Sequence, residues 1–110
     1  MENERGDLLH GTLEMLILRT LQKGPVHGYS ITERIQRLSD SVLSIDEGSM
    51  YPALYRMQRR GWISASRGRS ENNRRAKFYS LTDEGVRQLE TAADRWARFS
   101  DAVAKVMLRT

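Results

Sequence analysis

The chain has no cysteine, only two prolines and only two histidines among its 110 residues. Without cysteine there is no disulfide, no thiolate nucleophile and no cysteine-ligated zinc. His10 and His27 are the only imidazoles, which excludes a multi-histidine metal centre, so no metal or other cofactor is expected. Long apolar runs are missing as well: none approaches the ~20 residues that a membrane-spanning helix needs. The opening Met1-Glu2-Asn3-Glu4 is acidic and polar, unlike the basic start of a signal peptide. No repeat, low-complexity tract or interdomain linker is visible. These absences lead to the expectation of a soluble, cytoplasmic chain with no membrane partner and a single domain, at roughly 100–200 residues per domain.

What is present is positive charge. Eighteen Lys and Arg against fourteen Asp and Glu give a formal charge of +4, and the pI is about 9.8. Such an excess favours polyanionic partners. An enzyme is not expected. A core of this size leaves little room for a deep substrate pocket, and neither a glycine-rich phosphate loop nor a nucleophile elbow occurs. Glu14 and Glu33 fall on separate predicted helices without a catalytic partner, and His27 reads as a capping or turn residue rather than a general base.

The apolar spacing predicts mainly α structure with one small β-hairpin. Residues 1–7 read as a flexible terminus. Over 8–23, Leu9, Leu13, Leu16, Ile17, Thr20 and Leu21 recur at helical spacing, and Gly24-Pro25 stops the helix. A second helix is predicted from 27 or 28 to 38, with Ile31, Ile35 and Leu38 buried. A third spans about 47–60, with Met50, Leu54 and Met57 buried and Gly61 as its stop. Its start depends on Pro52. Either Ser49 is the N-cap and Pro52 lies in the first turn, or a helix begun at Asp46 is kinked at the proline.

The period then changes. Segments 62–66 and 77–81 are β-prone and flank a polar loop at 68–75, which reads as a hairpin with an extended tip. Thr82 is the expected N-cap of a last helix, with Asp83 and Glu84 at the positive end of its dipole. On that helix Val86, Leu89, Ala93, Trp96, Ser100, Val103 and Met107 form a heptad seam, and Ala92, Phe99 and Val106 form a second stripe. One stripe is expected to pack on its own domain and the other on a second copy; the alternative is a helix lying flat on its own domain.

Three helices followed by a basic hairpin outline a winged helix-turn-helix over 8–81, with 82–110 as a dimerisation helix. The outer side of the third helix would carry Gly48, Pro52, Tyr55, Arg56 and Arg59, flanked by Ser49 and Tyr51. Hydroxyls and guanidinium groups there suit phosphates and base edges in a major groove. The segment 67–77 adds Arg67, Arg69, Arg74, Arg75 and Lys77 against Glu71 alone, a charge pattern suited to phosphate or minor-groove contact.

Those segments also carry a family resemblance. Gly11-Thr12-Leu13-Glu14 with Leu16-Ile17-Leu18, Gly24-Pro25-Val26-His27-Gly28-Tyr29 and Gly48-Ser49-Met50-Tyr51-Pro52-Ala53-Leu54-Tyr55-Arg56 resemble the PadR family of bacterial transcriptional regulators. Arg60-Gly61-Trp62-Ile63 and Tyr79-Ser80-Leu81-Thr82-Asp83-Glu84-Gly85 continue the likeness. The stretch from Ser70 to Tyr79 resembles the acidobacterial-type branch, in place of the Gly-Arg-Pro-Arg-like wing tip of many members, and the tail resembles the compact form with one C-terminal helix.

The resemblance implies a homodimeric repressor bound to a pseudo-palindromic double-stranded operator. Tyr29, Tyr51 and Pro52 would lie at or near the DNA. Together with Ser49, Tyr55, Arg56, Arg59, Arg74, Arg75 and Lys77 they make up the expected DNA-binding set. Leu89, Ala93, Trp96, Ser100, Val103 and Met107 make up the expected dimer seam. Trp96 matches a tryptophan that stacks on planar ligands in one branch, so it is also the candidate effector contact. The competing reading is a basic protein-interaction module without specific DNA binding.

Overall fold

The computed structural model describes residues 12–109. In chain order it has α1 (Leu13–Thr20), β1 (Val26–His27), α2 (Gly28–Leu38), α3 (Glu47–Arg59), β2 (Ile63–Arg69), β3 (Arg75–Leu81) and α4 (Asp83–Arg109). The expected helix start at 8, with Leu9, lies outside the described residues. From Leu13 onward the stripe faces inward: Leu13, Ile17, Thr20 and Leu21 are buried and Leu16 is half-buried, while Leu18, outside the expected stripe, is also in the core. Val26 of β1, Ile31 and Ile35 of α2, Ile45 ahead of α3, Met50, Ala53, Leu54 and Met57 of α3, and Ile63, Tyr79 and Leu89 complete it.

Leu38 is a correction. It follows Ile31 and Ile35 at helical spacing, yet it is 73% exposed. The reason is the helix end. Asp40 and Ser41 both take left-handed φ values, 52° and 65°. Their N–H groups donate to the Arg37 and Gln36 carbonyls, the bonding of a Schellman turn. The chain therefore leaves before the last turn reaches the core, and Ile45 from the following segment is buried instead.

The start of α3 is also decided. Asp46 is the N-cap and its Oδ1 accepts from the Ser49 N–H at 2.7 Å. Ser49 is thus inside the helix, and Pro52 lies beyond its first turn. Pro52 has no N–H for the Gly48 carbonyl, but both residues are exposed, so water can satisfy that acceptor and the helix runs on to Arg59. At the other end Gly61 (φ 78°) donates to the Gln58 carbonyl and Trp62 to the Met57 carbonyl, a second Schellman turn.

The sheet has the order β1-β3-β2 and is antiparallel. Strand β1 gives no signal in the sequence, because two residues are too few to show an alternation. It exists through its pairing of Val26 with Tyr79 and His27 with Phe78. The hairpin arms are longer than expected: β2 and β3 pair from Ile63↔Leu81 out to Arg69↔Arg75. Only residues 70–74 turn, closed by the Ser70 N–H on the Arg74 carbonyl and by Asn73 at φ 58°.

Helix α4 is seated on the end of α3. The Thr82 hydroxyl accepts from the Gly85 N–H at 3.0 Å, the expected N-cap, and lies 2.6 Å from the Gly61 carbonyl and 3.0 Å from that of Trp62. The helix backbone comes so close that a Cβ at Gly85 would overlap the Trp62 carbonyl oxygen. Gly85→Ala should therefore push α4 off the α3–β2 turn and cost about 3 kcal/mol or more, read as a lowered melting temperature.

Candidate nucleic-acid interface

Along α3 the buried residues are Met50, Ala53, Leu54 and Met57. That leaves Ser49, Tyr51, Pro52, Tyr55, Arg56 and Arg59 on the solvent side, where helical spacing had assigned them. Tyr51 also packs against the start of α2, its ring 3.0 Å from where a Cβ on Gly28 would stand. A side chain at that position would push the ring aside. Tyr29, at the second position of α2, is exposed beside this contact. Tyr79 is buried beneath the sheet, and that burial raises the pKa of its phenol, with Tyr51 adding to the shift. Tyr29, Tyr51 and Tyr55, by contrast, reach the surface.

The arginines of α3 and its C-cap, Arg60, fall into two kinds. Arg59 lies over the Tyr55 ring at 5.8 Å and has no acidic partner among the described residues. Arg56 and Arg60 meet Glu14 of α1, at 3.7 and 3.2 Å. Glu14, from another helix, is the acid that the fold adds beside these arginines. Arg60 also stacks on Trp62, 5.1 Å from its centroid.

The wing shows what pairing does to a charge run. Leu81, Tyr79, Ile63 and Ala65 share the hairpin face that packs on the helices. Side chains alternate between faces, so the next pairs outward on that same face are Arg67↔Lys77 and Arg69↔Arg75. Four cations thus stand on one face in two cross-strand pairs, and none is in an ion pair among the described residues. They line a cleft of about 470 Å³ with Gly68 and Ala76. On the opposite face Phe78 packs edge-on to His27 at 5.7 Å and closes over Gly68, where a Cβ would lie 2.9 Å from the ring. Arg74 belongs to neither strand and projects from the turn. Arg67 and Arg69 were part of the expected charge run but outside the expected contact set. Their i, i+2 spacing, matched by Arg75 and Lys77, was the available signal.

Helix α4 divides by length and not by stripe. Gly85 and Leu89 are buried in their own chain, so Leu89 is core and not a free seam residue. This corrects the expected seam at Leu89. Further along, residues of both stripes are exposed: Trp96 46%, Phe99 62%, Val103 43% and Met107 75%. Ala93 is also exposed and Ser100 half-buried. Between α1 and α4 lies a groove of about 320 Å³ whose walls include Met15, Leu16, Val86, Ala93 and Trp96. Among the described residues no group of acidic and imidazole side chains could hold a metal ion, and no helix is long and apolar enough to cross a membrane.

The family model for PadR-like transcriptional regulators matches residues 17–91. The chain belongs to this family. Its winged-helix architecture agrees with solved members. A PadR-like regulator from Bacillus cereus is 31% identical, covers 92% of this chain and 96% of its own, and superposes with a TM-score of 0.79. A transcriptional regulator from Clostridium thermocellum is 27% identical over 90% of this chain and 96% of its own, with a TM-score of 0.82. Bacillus subtilis PadR, solved in complex with operator DNA, is 29% identical with a TM-score of 0.65, covering 73% of this chain and 45% of its own.

Like charges placed directly across a ladder repel. Lys77→Thr, which keeps a β-former at that position, should stabilise the folded chain by about 0.2–1 kcal/mol. Thermal melts at low salt check this, and the gain should shrink as added salt screens the pair.

Proposed function

We propose that this PadR-like chain is a sequence-specific DNA-binding regulator that acts as a homodimeric repressor. The observation that carries the reading is the wing. Its four cations share the face that turns toward the helices, beyond the apolar pairs that hold the sheet on the core. A protein gains nothing in stability from two stacked like-charge pairs, so their use lies with an external polyanion. The operator complex of the Bacillus subtilis relative supports DNA as that polyanion. Helix α3 would enter the major groove with Ser49, Tyr55 and Arg59 toward base edges and phosphates. The wing would track the backbone or the adjacent minor groove, and Tyr29, Tyr51 and Pro52 would line the approach.

Dimerisation is argued from α4. Phe99, Val103, Val106 and Met107 stand exposed on the half of a 27-residue helix that runs past the buried Leu89. A contiguous apolar surface of that kind marks an interaction site, and a second copy meeting it would set two α3 helices at a fixed separation. An operator with half-sites about one helical turn apart, roughly 34–36 Å, would match such a pair. The groove beside Trp96 joins α1 to α4. A planar effector seated there would act by changing the separation of the two α3 helices.

Footprinting of the gene's own upstream region with excess competitor DNA tests the reading. A protected pseudo-palindrome is expected, and failure to bind DNA at low salt would favour the protein-interaction alternative. On the bound duplex, Arg75→Ala should weaken binding to all sequences and reduce the salt slope by about 0.9, the share of one phosphate. Ser49→Ala should instead alter the order of preference among operator variants. Val103→Asp should convert the dimer to monomers in sedimentation experiments and lower operator affinity with it.

A further inference from the structure

We infer that Glu14 sets the DNA specificity of α3 by acting as an internal rival to phosphate for Arg56 and Arg60. This rests on the DNA-binding reading above. Glu14 stands on α1, remote in sequence from α3, and has no place in the expected contact set. Yet its carboxylate meets both arginines. Its Oε2 is 3.2 Å from Arg60 Nη1, and its Oε1 is 3.5 Å from the same atom and 3.7 Å from Arg56 Nε. The two arginines are four residues apart on one side of α3, so a single carboxylate faces both. Glu14 is the more sheltered member, its side chain 24% exposed against 45% for Arg56 and 51% for Arg60.

A pair this exposed contributes little to stability, typically about 0–1 kcal/mol. Its consequence is for what the guanidinium groups can do. Carboxylate and phosphate oxygens use the same forked donors, so any phosphate approaching Arg56 must displace Glu14 or share the arginine with it. An unmatched duplex offers phosphate but no base edge that fits Arg56, and gains little from the exchange. A matched site adds a base edge, and then Arg56 gains more than it gives up. Arg56, with the longer contact, is the arginine to be released. Arg60, closer to Glu14 and stacked on Trp62, is the one that stays. Among the described residues Arg59 and the four wing cations have no such rival, and they supply the general attraction. Glu14 thus holds down non-specific affinity at the part of α3 where discrimination is needed.

The test uses the full chain and two duplexes of equal length, the footprinted site and an unrelated sequence, with affinity read by fluorescence anisotropy across a salt series. For Glu14→Gln we expect the unrelated duplex to bind ~3–10-fold tighter with a salt slope steeper by up to ~0.9. The footprinted site should gain less than about two-fold, so that the specificity ratio falls. The gain should vanish in an Arg56→Gln/Arg60→Gln background and persist in an Arg59→Gln background. Glu14→Asp, shorter by one methylene, should shift both duplexes in the same direction by less, and it serves if the glutamine variant folds poorly. Unchanged affinity for the unrelated duplex, or a gain that survives loss of Arg56 and Arg60, overturns the inference. A wild-type chain that ignores both duplexes at low salt overturns the DNA-binding reading itself, an outcome distinct from normal wild-type binding with an inert Glu14→Gln.

Discussion

The geometry of the whole molecule depends on the hydroxyl of Thr82. It caps α4 by accepting from Gly85 and holds the carbonyls of Gly61 and Trp62 within hydrogen-bond reach. One side chain thereby joins the end of α3, the start of the wing and the base of α4. The glycine at 85 allows this approach, since its backbone lies against the Trp62 carbonyl where no side chain would fit. If that junction were loose, the wing could swing relative to α3, and α4 could leave the domain at any angle. The paired DNA binding proposed above would need both orientations held.

Around this junction the fold sorts charge by local rule. The wing concentrates cations because the hairpin alternates its faces: every second residue returns to the same side, and the outer pairs continue the line of the core pairs. Helix α3 does the opposite, spreading its cations around one turn, where a carboxylate from α1 can reach some of them and not others. Arg59 and Arg60 are neighbours in sequence, yet one stacks on a tyrosine and the other on a tryptophan and Glu14. Their chemical identity is the same and their availability to a partner differs.

Much of the fold was legible because helices and caps are local. The leucine stripe of α1 from Leu13 onward, the buried methionines of α3, Gly61 as its stop and Thr82 as the cap of α4 depend on residues a few positions apart. What failed to show depends on distant partners. Strand β1 is made by β3, half the chain away. Leu38 is the exception, missed for a local reason: it has the right spacing for burial but lies in a last turn that the backbone abandons. Leu89 reads as one more seam residue, and only its contact with the domain makes it core. For the candidate site, the outer face of α3 could be read from helical spacing, whereas the sharing of Arg56 and Arg60 with Glu14 could not.

Motif, periodicity and composition are properties of the chain, and they were enough for the family, the order of the helices and the hairpin, and the sign of the charge on the wing and α3. Which cations stand together, and which are already engaged, emerged only when the chain was folded. So did the point along α4 where core gives way to surface. Those outcomes turn on distances of a few ångströms between residues far apart in the chain, and electrostatic and packing energies change over that same range.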